Sequence, residues 1–318
     1  MDRPGAVAAL RAALTEFVRR HPADRWCVGL SGGADSLALT AAAATVLPIT
    51  ALIVDHGLQP GSEQVAATAR AQALQLGCVA AQVISVDVGD VGGPEAAART
   101  ARYSALDVAR DGAPVLLAHT LDDQAETVLL GLGRGSGARS IAGMRDWDPP
   151  WGRPLLGVRR AVTVAACAEL GLTPWRDPHN TDPRYTRVRL RNEVLPLLED
   201  VLAGGVAEAL ARTAAALRED NDALDALAAT RLAALRTAEG LPVDGLDDLP
   251  AALRRRVIRA WLLTAGAAGL TDVQIRAVDA LVARWRGQGG VAVAAPLRYQ
   301  RLIVRRRDGR LVAAAEPV

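Results

Sequence analysis

The chain has 318 residues, of which 50% are hydrophobic and 23% charged, and its formal net charge at pH 7 is +2. This length suits two or three globular domains, and the composition excludes a disordered chain. All 37 strongly basic residues are arginines, because the sequence contains no lysine. A Schiff-base lysine and a P-loop lysine that reaches a terminal phosphate are therefore excluded.

The cysteines indicate whether the chain has a metal site, and the N-terminus indicates where in the cell the protein is found. Cys27, Cys78 and Cys167 form no CxxC pair and have no metal-ligand spacing, which argues against a zinc or iron–sulfur site. The N-terminus, Met1–Pro4, lacks a signal-peptide hydrophobic region, and no uninterrupted apolar run is long enough to span a bilayer. We therefore expect a cytoplasmic protein with no membrane partner.

Strand and helix patterns alternate through the first half of the chain. A helix is predicted over 6–20, where apolar residues recur at helical spacing, and a short apolar strand from Trp26 to Leu30 follows it. Beyond it an alanine-rich helix is predicted, and then strands at 50–54, 80–86 and 115–118 alternate with helices at 62–76, 94–110 and 122–132. This alternation predicts a parallel sheet with helices on both faces.

The pattern changes after Gly143. Alanine and leucine at helical spacing over 193–237 predict one long helix or a helical pair. Alternating apolar and polar residues from Val291 to Ala314 predict a small β-ribbon. The remaining expectations are a loop at 146–154, a short strand or turn at Pro154–Leu156, a helix at 161–170 and two helices between Leu246 and Trp285.

The segment between the first strand and its following helix has the composition of a phosphate-binding turn. It consists of Ser31, Gly32, Gly33, Ala34, Asp35 and Ser36. Paired glycines let the backbone approach an anion, and the free N–H groups at the start of the next helix can hold phosphate oxygens. Asp35 could hold magnesium or cap the helix. A plain glycine-rich turn is the alternative interpretation.

The complete SGGxDS pattern resembles the signature of the pyrophosphatase-loop, or N-type ATP pyrophosphatase, superfamily, which uses backbone amides instead of a P-loop lysine. Further blocks, in the same order, resemble the tRNA(Ile)-lysidine synthetase family and cover most of residues 25–200. These blocks are Val54–Leu58, Arg99–Tyr103, Ala118–Thr127 with Arg134–Gly137, Arg153–Leu156, and Asp177–Asp182 with Arg187–Arg191. Residues 246–314 resemble the family's substrate-recognition domain more weakly.

The chain departs from the family pattern in a few places. Thr120 stands where the family often has a second histidine, and Val188 stands where it often has asparagine. The C-terminal part is shorter than in the longest members, which carry another domain. Neither substitution removes a charged group, so the expected chemistry is retained.

The resemblance implies an α/β fold. Its core is a parallel five-stranded Rossmann-like sheet of the adenine nucleotide alpha hydrolase type with helices on both faces, followed by a helical linker and a small α+β domain. We accordingly assign residues 1–198 to an N-type ATP pyrophosphatase catalytic domain, 199–240 to the linker and 241–318 to a tRNA recognition domain.

The resemblance also implies the reaction and its partners. Members use ATP, with Mg²⁺, to adenylate the first anticodon cytidine of a tRNA(Ile) with a CAU anticodon. Free L-lysine then displaces AMP from C2 of the cytidine and gives lysidine. A homodimer is left open.

Two carboxylates are the first candidates for catalysis. Asp123 and Glu126 are three residues apart at a predicted helix start and hence lie on one face. They could hold the lysine ammonium group or a magnesium ion, and one could take a proton from the attacking amine. An acidic first turn that complements the helix dipole is the simpler alternative.

The other candidates rest on the resemblance. Arg102 is expected to contact the ATP phosphates or the activated cytidine. One arginine among 187, 189 and 191 is expected to reach the active site, and we take Arg189 as the catalytic one. His56 and His119 end parallel strands at the same crevice, and we assign His56 to the nucleotide; a structural histidine is the alternative for both.

Arginine-rich segments are the expected contacts to RNA. Residues 184–191 combine four arginines with Tyr185 and could neutralise phosphates and stack bases, or form a solvated surface. Further arginines are expected to grip the tRNA arm: Arg254, Arg255, Arg256, Arg259, Arg305, Arg306 and Arg307.

Three other functions compete with this hypothesis. A tRNA cytidine thiolase of the same superfamily needs reactive or cluster-binding cysteines, and three scattered ones argue against it. An amidating ligase would need a glutaminase-type cysteine constellation to supply ammonia, and none is recognised. A non-catalytic RNA-binding protein with a relic nucleotide fold predicts loss of the acidic or loop residues, yet they are present.

Overall fold

The computed structural model describes residues 5–57, 59, 61–89, 93–135, 137–294 and 300–317. The chain forms two compact units. The first contains Met1–Gly135 and Ser140–Ala215, and the second contains Ser136–Arg139 and Ala216–Val318. No helix within the described ranges is both long enough and apolar enough to cross a bilayer.

A six-stranded sheet occupies the centre of the first unit. Its strands, in chain order, are β1 (Trp26–Gly29), β2 (Ile49–Asp55), β3 (Ala80–Ser85), β4 (Val115–Leu116), β5 (Trp147–Asp148) and β6 (Trp151–Gly152). They lie in the order β3-β2-β1-β4-β6-β5, with the β5–β6 pair antiparallel and the other pairs parallel. The predicted five-stranded parallel sheet is confirmed, and one antiparallel strand extends its edge.

Helices connect these strands, as the alternating pattern predicted. They are α1 (Ala6–Arg20), α2 (Ala34–Ala44), α3 (Ser62–Gln75), α4 (Pro94–Ala109), α5 (Leu121–Gly133), α6 (Ala138–Ile141) and α7 (Arg160–Glu169). Next come α8 (Thr186–Arg189), a π-helical turn at Leu190–Val194, α9 (Leu195–Val201) and α10 (Val206–Leu235). The segment 193–237 is therefore a helical pair, interrupted where Gly204 and Gly205 adopt φ values of +89° and +74°.

Alternate strand residues pack against helices on opposite faces of the sheet. Val28 and Leu116 belong to a large core shared with α1, α2 and α7. Their neighbours Cys27 and Val115 belong to a smaller core shared with Leu106 of α4. Because both faces are covered, the strands consist of continuous apolar runs rather than alternating residues.

The strand order creates a crevice between β1 and β4. After β1 the chain continues outward to β2 and β3, whereas after β4 it continues to β6 on the other side. Connections that diverge in this way leave a ligand-binding crevice at the carboxyl ends of the strands. The turn Ser31–Ser36 follows β1 and the segment His119–Asp123 follows β4, so the two motifs meet there.

The hairpin at the sheet edge differs from the sequence-based expectation. Residues 146–154 were expected to form a loop, but they contain β5 and β6. Pro154–Leu156 adopts the turn alternative rather than the strand. Strands of two residues are too short to show an apolar alternation, so the sequence carried no signal for them.

The second unit combines helices with an antiparallel sheet. Its elements are α11 (Ala251–Thr264), α12 (Asp272–Ala283), β7 (Leu241–Pro242), β8 (Val291–Ala294), β9 (Gln300–Arg307) and β10 (Arg310–Pro317), with strand order β7-β10-β9-β8. The predicted β-ribbon forms most of this sheet, although residues 295–299 lie outside the described part. Val257, Leu262, Val278, Val304 and Leu311 meet in the core.

A buried ion pair joins α11 to α12. Asp279, 5% exposed, accepts from Arg254 Nε at 2.6 Å and from Arg255 Nε at 2.9 Å. Arg254 also donates to the carbonyl oxygen of Leu249 at 2.9 Å. Arg254, which we had expected to face tRNA, is therefore a structural residue of the second unit.

Replacing Asp279 by alanine is expected to destabilise the second unit by about 3–5 kcal/mol, because Arg254 would remain buried without its counter-ion. Urea unfolding followed by circular dichroism measures this loss. Asp272→Ala is the matched control, since Asp272 forms an exposed pair with Arg276 on α12 and should change stability little. Equal effects of the two substitutions would contradict a buried role for Asp279.

Candidate active site

The turn after β1 leads directly into α2. Gly32 has a φ of +83°, which favours glycine, and its carbonyl oxygen accepts the backbone N–H of Trp175 at 2.9 Å. The Ser36 hydroxyl accepts the backbone N–H of Ser31 at 3.2 Å and donates to the carbonyl oxygen of Gly33 at 3.0 Å. These bonds fix the turn so that the free N–H groups at the start of α2, from Ala34 onward, face the crevice end of β1.

A cavity of about 410 Å³ opens beside this turn. Apolar residues of β1, β2 and α3 line its walls, and Trp175 lines it from the following segment of the chain. Gln59 Nε2 donates to Asp177 Oδ1 at 3.1 Å and forms a hydrogen bond with His179 Nδ1. The segment from Trp175 to His179 thereby closes one side of the cavity.

Arg102 and His56 border the same cavity. Within the described ranges, the half-buried Arg102 guanidinium has no hydrogen bond or ion pair, and Nδ1 of His56 is buried without a partner. Burial lowers the pKa of both groups, and the charge of Arg102 lowers the pKa of His56 further. His56 is therefore neutral near pH 7, whereas arginine keeps its charge. The cavity thus has an unpaired cation on its wall.

The N-terminus of α5 carries a capping box. Thr120 Oγ1 accepts the backbone N–H of Asp123 at 3.4 Å, and Asp123 Oδ2 accepts the backbone N–H of Thr120 at 2.8 Å. The neighbouring Asp122 accepts the backbone N–H of Arg160 at 2.7 Å. The two adjacent acids therefore have different roles, since Asp122 holds the start of α7 while Asp123 also reaches other side chains.

Arg160 lies at the centre of a group of carboxylates. Its guanidinium contacts Asp35 Oδ2 at 3.2 Å, Asp123 Oδ1 at 2.5 Å and Glu126 Oε1 at 3.3 Å. Thr163, one turn later in α7, donates its hydroxyl to Asp35. We call Arg160 and its three acidic partners the Arg160 cluster. The carboxylates that the sequence marked as catalytic candidates thus come together from α2 and α5.

Two further arginines approach Glu126. Arg191 bonds its carboxylate at 2.8 and 3.2 Å, and Arg187 lies 3.8 Å from it. Arg189, our candidate from the sequence, instead pairs with Glu193 at 2.9 Å, and its side chain is 60% exposed. Residues four apart share a helical face whereas residues two apart do not. Arg191, rather than Arg189, therefore contacts the Arg160 cluster.

Burial raises the pKa values of the Asp35 and Asp123 carboxyl groups, whereas pairing with Arg160 lowers them. Burial raises the pKa of Asp35, and its hydrogen bonds only partly offset this effect. Burial also disfavours the charge of Asp123, but Arg160 and the capping bonds hold its pKa below the usual value. The side chain of Glu126 is fully buried, and three arginines surround its carboxylate. Burial lowers the pKa of His119, after β4, to about 3, which leaves its imidazole neutral.

The sequence patterns did not point to Arg160, Trp175 or Gln59, whereas Asp177 and His179 at the closure of the cavity belong to a motif block. Arg160 begins α7, where the helix dipole disfavours a cation, and this misplaced charge is the one signal that could have drawn attention to it. Trp175 and Gln59 gave no comparable signal. Leu58 and Ser136, which belong to two of the motif blocks, lie outside the described residues.

Comparisons with known proteins show the family to which the chain belongs. A PP-loop domain matches residues 7–198, and a TilS substrate binding domain matches residues 241–312. Over the full length of both proteins, the chain is 70% identical to tRNA(Ile)-lysidine synthase of Mycobacterium tuberculosis (strain ATCC 25618 / H37Rv). The chain belongs to the tRNA(Ile)-lysidine synthase family. A relative of the same name from Rhodococcus erythropolis is 61% identical over 98% of this chain and 96% of its own.

A solved structure shares the fold. It is the U34-tRNA thiolase NcsA from Methanococcus maripaludis with its [4Fe-4S] cluster, which has a TM-score of 0.55, 18% identity, and covers 67% of this chain and 80% of its own. Among the described residues of the present chain, the cysteines belong to no group that could hold a metal cluster. Cys27, Cys78 and Cys167 are all buried, and burial raises the pKa of the last two thiols to about 11. A thiolase function is therefore not favoured.

Arg160→Gln is expected to destabilise the first unit by about 3–5 kcal/mol at pH 7, because one fully buried and two largely buried carboxylates would lose their shared cation. Without this cation, burial would raise the folded-state pKa of Asp123 above its unfolded value and would raise that of Asp35 further. The penalty is present while they are ionised and disappears as the pH falls through the raised values. Urea unfolding at pH 7 and at pH 5 measures this dependence.

Arg189→Gln is the matched control for this change. It removes the same charge from an exposed pair, so stability should change little at either pH. A loss with Arg160→Gln that did not shrink at low pH would contradict the electrostatic origin of the effect.

Proposed function

We propose that the chain ligates free L-lysine to C2 of the first anticodon cytidine of a CAU-anticodon tRNA(Ile), consuming ATP and releasing AMP and pyrophosphate. The observation that carries this proposal is the position of the Arg160 cluster beside the turn Ser31–Ser36, in a chain 70% identical over its full length to tRNA(Ile)-lysidine synthases. The site combines an anion-binding turn with carboxylates that can meet an amine.

The cavity beside the turn is proposed to bind ATP. A volume of about 410 Å³ with apolar walls suits a nucleoside, and the turn at the start of α2 offers N–H groups to the phosphates. Arg102 would supply the charge that these phosphates require, since it has no acidic partner within the described ranges. His56, being neutral, would offer Nδ1 as a hydrogen-bonding atom without competing for charge.

Asp35 is the proposed magnesium ligand. Its side chain is 26% exposed, and burial raises the pKa of its carboxyl, so a nearby cation would stabilise the ionised form. Among the described residues no group of three histidine, cysteine or acidic side chains is arranged as a metal site. Mg²⁺ commonly uses one or two carboxylates together with phosphate oxygens, and this pattern fits a single ligand beside the turn. The ion would neutralise the charge that develops on the phosphates.

Lysine is proposed to bind at Asp123, while Glu126 acts through the arginines. The carboxylate of Glu126 is fully buried and both its oxygens are bonded to Arg191, so it positions cations rather than meeting the substrate. Asp123 remains 15% exposed and is kept ionised by Arg160, which suits it to hold an ammonium group. Arg189 stays a prediction from the sequence, since its pair with Glu193 leaves it outside these contacts.

The proposed reaction has two steps. In the first, the C2 oxygen of the cytidine attacks the α-phosphate of ATP, a new O–P bond forms and pyrophosphate leaves. In the second, the ε-nitrogen of lysine attacks C2, and AMP leaves with the former C2 oxygen. The ammonium group first gives one proton to a carboxylate of the Arg160 cluster and so becomes the attacking amine. After the C–N bond has formed and the C2–O bond has broken, the nitrogen loses a second proton to solvent. Backbone donors and arginines stabilise the charge on the phosphates.

The remaining assignments follow from these substrates. We propose that residues 1–198 carry the chemistry, that 199–240 link the domains and that 241–318 contribute to tRNA binding. ATP, lysine and tRNA all occur in the cytoplasm, where we place the protein. We also propose a homodimer, and the mass of the purified protein in solution tests this oligomeric state.

Purified protein is expected to transfer radiolabelled lysine to an unmodified CAU-anticodon tRNA(Ile) transcript only when ATP and Mg²⁺ are present. Asp123→Asn should reduce the rate at least about 100-fold, because the amine loses its anionic partner. Acid-precipitable label measures the transfer. Asp107→Asn, which changes an exposed acid of α4, is the control and should keep full activity. Absence of transfer by the unaltered protein would refute the proposed reaction.

Arg102→Gln is expected to weaken ATP binding about tenfold or more, because a charge-assisted contact to the phosphates is lost. Adenosine, which has no phosphate, should bind the variant and the unaltered protein equally. Isothermal titration calorimetry measures both ligands. Arg99→Gln, one turn earlier on α4 and exposed, should leave both affinities unchanged. An equal loss for adenosine and ATP would show that Arg102 shapes the cavity and does not bind phosphate.

A further inference from the structure

The second unit contains a group of arginines that the proposed chemistry does not use. Two residues one turn apart on α10, Asn221 and Asp225, face two residues of α11, Arg256 and Arg259. Arg139, from the short segment that belongs to the same unit, joins them. We call these five residues the Arg259 cluster. It contains three cations and one anion.

Hydrogen-bond donors outnumber acceptors in this cluster. Asp225 Oδ1 accepts from Arg139 and, at 3.0 Å, from Arg256. Arg256 also donates to Asn221 Oδ1 at 2.7 Å. The side chain of Asn221 is 5% exposed, and its Nδ2 is buried with no acceptor in the described part of the chain. The carboxylate of Asp225 therefore accepts hydrogen bonds from two guanidinium groups, and the amide donor of Asn221 has no acceptor in the described part of the chain.

Among the three arginines of the cluster, Arg259 has the positive charge that is least compensated by acceptors. Its half-buried guanidinium has no hydrogen bond or ion pair within the described residues. Burial and the charges of Arg139 and Arg256 lower its pKa, and Asp225 offsets this only in part. By contrast, Arg254 on the same helix is saturated by its buried ion pair and a carbonyl oxygen. A half-buried cation without an acceptor destabilises the fold unless an anion binds to it.

We propose that the Arg259 cluster binds a phosphate group of the tRNA backbone, an inference that rests on the proposed tRNA substrate. A phosphodiester shares one negative charge between two non-bridging oxygens, which match the paired donors of guanidinium groups. The side chains of Arg139 and Asp225 are 40% and 36% exposed, so the cluster is accessible from solvent, while Arg256 is held at 15% exposure. Phosphate contacts position an RNA without reading its sequence. The cluster therefore positions the tRNA and does not select the base.

The test compares tRNA binding by the unaltered protein and by the Arg259→Gln variant. Fluorescence anisotropy with a labelled, unmodified CAU-anticodon tRNA(Ile) transcript, repeated over a range of salt concentrations, gives the affinity and its salt dependence. The variant should bind about 5- to 10-fold more weakly, and the slope of log affinity against log salt should fall by about one. At saturating tRNA its rate of lysine transfer should be unchanged, since the chemistry lies in the other unit.

Arg276→Gln is the matched control, because Arg276 forms an exposed pair with Asp272 on α12. It removes the same charge from the same unit, and both affinity and salt slope should stay as in the unaltered protein. Without tRNA, Arg259→Gln should melt at the same temperature as the unaltered protein or higher, because an unpaired cation has been removed. A purely structural arginine would instead lower the melting temperature. Arg139→Gln provides a second variant that should also weaken tRNA binding.

Three results would overturn the proposal. The first is unchanged tRNA affinity and salt slope in both cluster variants. The second is an equal loss of affinity in Arg276→Gln, which would indicate a general charge effect. The third is a rise in melting temperature with inorganic phosphate that the Arg259→Gln variant no longer shows, although its tRNA affinity is unchanged. This result would mean that the cluster binds a free anion. Lysine transfer by the unaltered protein tests the proposed function separately.

Discussion

The guanidinium group of Arg160 connects the helices that build the site. It contacts Asp35 from α2 and two acids from α5, Asp123 and Glu126, while belonging itself to α7. A buried carboxylate is retained only when a cation and hydrogen bonds compensate for its lost hydration. This arginine, with help from Arg191, therefore supplies the positive charge that lets three carboxylates lie together in the crevice.

The parallel sheet supplies the geometry for this contact. Because β1 and β4 are neighbours, the helices that follow them, α2 and α5, begin side by side at one edge of the sheet. Their first turns present N–H groups and acids to the same crevice. Asp122 then fixes the start of α7 through the backbone N–H of Arg160. The same arrangement leaves the cavity next to β2 open, with Arg102 on its wall, so the proposed nucleotide site and the acids occupy adjoining regions.

Local signals made most of the fold and part of the site predictable. Buried strands followed by helices gave the sheet, and the acids at 123 and 126 were recognisable because three residues bring side chains to one helical face. Arg160 was not predictable, because Asp35 lies 125 residues away along the chain and only tertiary packing brings the two together. The choice between Arg189 and Arg191 depended on the helical phase of 186–194, which includes a π-helical turn that sequence spacing does not reveal.

The absence of lysine from the sequence matters for how such a site can move protons. Arginine stays protonated at any physiological pH, so the cations that hold the cluster together cannot give up protons to the substrate. The histidines nearby do not titrate near neutrality either, since burial lowers the pKa of His56 and brings that of His119 to about 3. The amine that reacts in the proposed second step must therefore transfer its proton to a carboxylate or to solvent. A carboxylate of the cluster that accepts this proton becomes neutral, whereas the arginines around it keep their charge and Glu126 keeps its two bonds to Arg191.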